Sequence, residues 1–139
     1  MRIGAAAAKL PAMPRESQIR KRERAGRIDA ELARLYPDAR CSLDFRNAYE
    51  LWVATVLSAQ CTDERVNRVT PQLFAAAPDT AGLHALPLGE LEVLIHSTGF
   101  FRNKAKNLKA AAAILLEEHE GELPPRMEEL VRLPGVGRK

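Results

Sequence analysis

The sequence predicts an all-α fold. Three observations carry this. Apolar residues recur at helical spacing, and no stretch of useful length alternates as a strand does. The apolar content is rich in Ala and Leu and poor in aromatics, 46% hydrophobic against 5% aromatic, which suits helices packed on helices better than a β-sandwich. Prolines, glycines and short polar residues cut the chain into pieces of helical length. At 139 residues it is long enough for one domain with a real core.

The elements follow in order. Residues 1–15 hold Ala, Pro and basic residues with no sustained period, and read as a disordered basic tail. Residues 16–139 read as the helical domain. A first helix runs from about Glu16 to Leu35, with Ile19, Ile28, Leu32 and Leu35 as its apolar positions, and Pro37 ends it. Its run Arg20–Arg24 either touches phosphates or is a solvated face.

The next helix, Asn47 to Gln60, is apolar almost all round, which places it in the middle of a domain, with Asn47 as N-cap. Thr62 or Asp63 caps a third helix reaching Ala76, with Val66, Val69, Leu73 and Phe74 facing inward. Pro71 inside it predicts a kink or two short helices. Short helical pieces are expected near Thr80–Ala85 and Leu88–Ser97, punctuated by Pro87 and Gly99. A long helix spans about Phe101 to His119 and stops at Gly121. Arg102, Lys104, Lys106 and Lys109 crowd its first half, where the helix dipole is already positive. Either something anionic offsets them or water does. Arg126 to Arg132 is a last short helix before Leu133-Pro134 and a Gly-Val-Gly turn.

Charge is unevenly placed. Residues 1–40 carry ten Lys/Arg and five Asp/Glu, and the remainder carry eleven and thirteen. The body is therefore not a uniformly basic nucleic-acid binder, and any such contact comes from a local patch. Cys41 and Cys61 stand in no CxxC pair and near no His/Cys cluster, so they fit neither a zinc site nor a disulfide framework. Reduced thiols and a cytoplasmic location are expected. No apolar run approaches the ~18 residues that span a bilayer, and Ile3–Ala8 is too short for a signal h-region.

The closing "LPGVGRK" joins a helix, a tight turn and two cations. Gly135 and Gly137 lack a Cβ and let the backbone approach a phosphate, Val136 lies between them, and the amides at the start of a following helix receive the anion. Such contacts position a protein on DNA without reading sequence. G-x-G alone is a weak signal. Preceded by a helix and Leu-Pro, and followed by Arg138 and Lys139, it is far more specific.

"LSAQCTD" (Leu57–Asp63), "NRVTPQLF" (Asn67–Phe74), "STGFFRNKAKNL" (Ser97–Leu108) and "LPGVGRK" occur in the order and at about the spacing of the endonuclease III family of DNA glycosylases. The resemblance covers about residues 20–139. It implies a helix–hairpin–helix glycosylase that removes oxidised pyrimidines from duplex DNA and nicks the abasic strand, acting as a monomer on nucleoid DNA. It implies that Gln60 fills the gap left by an extruded base and that Phe100 wedges beside the partner base. From the residues alone, Gln60 reads as a helix C-terminal cap and Phe100 as a core aromatic. Asp63 matches a position near the substrate pocket, with N-capping as the alternative. Arg102, Lys104, Gly135, Val136, Gly137 and Arg138 are the implied backbone contacts.

Lys139 matches the lysine that attacks the sugar C1′ and forms a Schiff base. Adenine-specific relatives lack it and cleave only the base, so lysine here implies a lyase as well as a glycosylase. The resemblance also implies a chain that stops inside its hairpin motif, without the family's catalytic aspartate or the four cysteines of its [4Fe–4S] cluster. No metal or cofactor is expected in this chain, and weak or no activity in isolation. The alternative is a non-catalytic helical module that binds DNA or a partner.

Overall fold

The computed structural model describes residues 16–138, so expectations for the tail and for Lys139 lie outside the described residues. Among the described residues there is no strand. Along the described residues seven α-helices follow one another: α1 Gln18–Leu35, α2 Ala48–Ser58, α3 Asp63–Ala76, α4 Thr80–Ala85, α5 Leu88–Ile95, α6 Phe101–Glu118 and α7 Met127–Leu130. A 3₁₀ turn, His96–Thr98, lies between α5 and α6. The chain forms two compact units, one ending at Arg40 and one starting at Cys41.

In the first unit, α1 is capped by Ser17, whose hydroxyl accepts the Arg20 amide, and no residue of α1 is buried. Its apolar positions Ile19, Ile28, Leu32 and Leu35 are all exposed.

In the second unit, α2 is the central helix. Tyr49, Trp52, Val53, Ala54, Val56 and Leu57 are buried, as an apolar circumference requires. Asn47 caps it by accepting the Glu50 amide at 2.9 Å, and the Glu50 carboxylate reaches back to the Arg46 amide at 2.7 Å. Each side chain thus satisfies an amide at the helix start that has no partner inside the helix. Tyr49 stacks at an angle on Trp52 and Phe74, and its hydroxyl donates to the Ala77 carbonyl at 2.8 Å.

Thr62 rather than Asp63 caps α3. α3 runs through Pro71 as one helix, where the sequence allowed two. Val66, Thr70, Leu73 and Phe74 are buried along it, and that packing holds both turns on either side of the proline. Helix α6 packs against α2, α4 and α5, burying Ala105, Leu108, Ala111, Ala112 and Leu115. Its alanines let neighbouring backbones come close. Beyond α6, Gly121 at φ +84° turns the chain, and its carbonyl accepts the Thr80 hydroxyl at 2.6 Å, tying this turn to the start of α4.

Candidate nucleic-acid interface

Two segments lie at the ends of core helices. The first follows α2, where the chain turns through Gln60 at φ +56°. The second precedes α6, where Gly99 (φ +73°, ψ 154°) and Phe100 (φ +46°) reverse the direction before the helix begins. Gly99 adopts a backbone conformation nearly confined to glycine. Gln60 and Phe100 are side chains in the left-handed region, a conformation that costs about 1–3 kcal/mol and persists only where the surroundings impose it. Both are exposed, Phe100 to 71%. Phe100 is therefore not a core aromatic, and the helix C-cap of α2 is Ala59, not Gln60.

Lys104 bonds a backbone carbonyl just before each of these turns. It was expected to contact phosphates, and the structure corrects this. Lys104 is only 6% exposed, and its ammonium donates to the Leu57 carbonyl and to the Thr98 carbonyl, each at 2.8 Å. Leu57 stands three residues before Gln60, and Thr98 two before Phe100. Burial pushes the Lys104 pKa below the ordinary lysine value, and the nearby Cys61 opposes that shift. Lys109 is used in the same way at the end of α4, where it donates to the carbonyls of Leu83, His84 and Leu86. The negative partners for the cations of α6 are thus, for these two, the carbonyl ends of other segments.

A spacing signal for Lys104 was present in the sequence. Lys104, Leu108, Ala111 and Leu115 fall four, three and four apart, so Lys104 lies on the stripe of α6 that faces the core. Reading only its charge hid this.

Arg102 and Lys106 remain exposed. The Arg102 guanidinium lies 4.9 Å from the Phe101 ring centre, and Phe101 stacks on His96 at 4.5 Å. Asp63 is half-buried at the start of α3 and accepts the Ser42 hydroxyl. Asn67, one turn on, accepts the Asp44 amide and donates to the Ser42 carbonyl, both at 2.9 Å, which fixes the segment before α2.

After α7, Leu133 to Val136 closes as a β-turn, with the Val136 amide donating to the Leu133 carbonyl at 3.1 Å and Gly135 at φ +81°. Proline second and a positive-φ glycine third define a type II turn. Leu133 is buried and Val136 packs on the core, while Gly135, Gly137 and Arg138 are exposed. The turn lies against α6: a methyl group on Gly135 would stand 3.0 Å from Asn107 Cβ, too close without a shift. Lys104 and Asn107 are one turn apart on α6. That helix therefore supports the Gln60 segment, the Phe100 segment and the glycine turn together.

No group of three or more His, Cys, Asp or Glu among the described residues is placed to hold a metal ion. A [4Fe–4S] cluster takes four thiolates, and this chain carries two cysteines, Cys41 and Cys61, so its residues do not fit one. No helix among the described residues is long and apolar enough to cross a membrane.

Residues 53–138 match the family model described as HhH-GPD superfamily base excision DNA repair protein. The chain is 58% identical over 119 residues to Endonuclease III of Synechocystis sp., which covers 86% of this chain and 54% of that protein. It is 49% identical over 105 residues to Endonuclease III of Bacillus subtilis, covering 76% and 48%. It thus spans about half the length of these curated relatives. Among solved structures, a non-covalent Endonuclease III–DNA complex aligns with a TM-score of 0.76 at 46% identity, over 84% of this chain and 54% of that one. A thermostable thymine-DNA glycosylase at 20% identity, TM-score 0.71, shares the fold over 86% of this chain and 56% of its own. With the family model spanning most of the second compact unit, the chain belongs to the HhH-GPD superfamily of base excision DNA repair proteins.

Proposed function

We propose that the protein acts as a DNA N-glycosylase and AP lyase on duplex DNA that carries an oxidised pyrimidine or an abasic site. One observation carries this reading: Gln60 and Phe100, both exposed and both left-handed, sit on two segments held by a single buried lysine. A base in the duplex must leave the stack before its glycosidic bond is reachable, and the gap must be filled. The Gln60 amide offers both donors and an acceptor to the base left unpaired. Phe100 offers a flat apolar face that wedges beside the partner base. Arg102, Lys106 and Arg138, with the glycine turn at Gly135–Gly137, hold phosphates on either side. Asp63, fixed by Ser42, borders the pocket that receives the base.

The strand-cleaving step is assigned to Lys139. Its unprotonated amine adds to C1′ of the open abasic sugar and water leaves, giving an iminium. Loss of a C2′ proton then expels the 3′ phosphate oxygen by β-elimination. The protein works as a monomer on nucleoid DNA in the cytoplasm.

The test places 2-aminopurine opposite a tetrahydrofuran abasic analogue. Binding of the wild-type chain is expected to change the 2-aminopurine emission, and Gln60→Ala to abolish the change. An unchanged emission at saturating protein contradicts the reading. For the lyase step, whatever borohydride trapping on abasic duplex the wild-type chain shows, weak as it is expected to be, is expected to fall to the background of free amines in Lys139→Ala. Trapping well above it would assign the nucleophile elsewhere.

A further inference from the structure

We propose that Lys104 is a positioning residue that couples the Gln60 and Phe100 segments into one rigid pair for entering DNA. This rests on the reading of Gln60 and Phe100 given above. The two segments are far apart in sequence and belong to different helices, yet the Lys104 ammonium bonds a carbonyl of each at 2.8 Å. The Leu57 carbonyl is among the last four of α2, which have no partner within the helix, and the end of a helix favours a cation. Ser58 has its own closure, its carbonyl accepting the Cys61 amide at 3.1 Å. Thr98 ends the 3₁₀ turn and is itself buried, its hydroxyl donating to the Ile95 carbonyl at 2.8 Å. Its carbonyl is directed to Lys104.

Among the described residues no carboxylate pairs with this ammonium; its hydrogen bonds go to backbone carbonyls, and the nearby Cys61 favours its charge. A point charge with three donors bonds two carbonyls on different elements without requiring them to be coplanar, which a planar guanidinium would demand. Burial depresses its pKa, in keeping with a group withdrawn from water. Both left-handed turns lie within three residues of an anchored carbonyl, so one ammonium ties together the backbone that carries Gln60 and Phe100.

Three measurements on the full chain test this. In the wild-type protein, ¹⁵N NMR of the lysine ammonium groups is expected to find Lys104 slowly exchanging and coupled across hydrogen bonds to the Leu57 and Thr98 carbonyl carbons. Exchange as fast as that of exposed Lys106 would overturn the proposal without any variant being made. In Lys104→Met, hydrogen exchange is expected to accelerate about tenfold or more in both segments, Leu57–Cys61 and Thr98–Phe101, through the two carbonyls left unpaired. Acceleration in one alone, or in neither, overturns the coupling.

On DNA, Lys104→Met is expected to keep the salt dependence of binding to intact duplex and lose the preference for an abasic analogue. Lys106→Met should lower the slope of log K against log salt by about one. A comparable drop for Lys104→Met, with the preference retained, would make Lys104 a phosphate contact and end the proposal. If the wild-type chain has no abasic preference, the functional reading of Gln60 and Phe100 fails, whereas the two measurements on free protein still decide the tether.

Discussion

Gln60 carries a conformational cost that a glycine at the same place would not. It turns the chain at φ +56°, where glycine would be unstrained, and its side chain is exposed. Gln60→Gly is therefore expected to stabilise the fold by about 0.5–1 kcal/mol while removing the amide proposed to fill the gap in DNA. Thermal unfolding and abasic-duplex binding measured on the same variant check this. A variant that is both less stable and unaffected in binding would mean that the Gln60 side chain serves the fold. The glycine at 135 has the opposite logic, since its φ of +81° strains any side chain and an added Cβ would stand 3.0 Å from Asn107 Cβ. There the residue type is dictated by the turn's own geometry.

At the level of elements, helices α2 and α4 are terminated by lysines from α6. Lys109→Met leaves the Leu83, His84 and Leu86 carbonyls without their charged donor, and is expected to cost about 1–3 kcal/mol. Lys106→Met, on an exposed position of the same helix, should stay within about 0.5 kcal/mol of wild type. Equal effects of the two in denaturant titrations would contradict the capping role.

The start of α2 is held by charge as well. The Glu50 carboxylate is 2% exposed and accepts the Arg46 guanidinium and amide, and the Arg46 hydrogen bond holds its pKa below the ordinary 4.5. A carboxylate with a lowered folded pKa stabilises the fold above its unfolded pKa, and that contribution is lost as pH falls through the folded value. The stability of the wild-type chain should therefore drop as pH decreases below about 4.5, and Glu50→Gln should flatten that part of the profile. An unchanged acid limb in Glu50→Gln would assign the loss to other carboxylates.

Across the whole molecule, much of the fold was legible. Helix ends followed Asn47, Thr62, Pro37 and Gly121 because capping and breaking are local chemistry. The burial of α2 followed from its apolar circumference. Continuity through Pro71 was not legible, because packing on both sides of the proline is a tertiary effect. Nor was the role of Lys104, since its partners lie 47 and six residues away and are backbone carbonyls, which leave no mark in sequence. For Gln60 and Phe100 the residues alone favoured a helix cap and a core aromatic, and the cap at Ala59 and the exposure of Phe100 show otherwise.

The proposed function requires Gln60 and Phe100 to enter DNA together. The most direct measurement is the affinity of the chain for a duplex holding a tetrahydrofuran abasic analogue relative to an intact duplex, in a cycle of wild type, Gln60→Ala, Phe100→Ala and the double variant. The account predicts a preference for the abasic duplex in wild type. It also predicts that each single variant loses most of this preference, with the double variant little worse, because the two act as one unit. Equal affinity of wild type for both duplexes, or a preference that survives in the double variant, would contradict it.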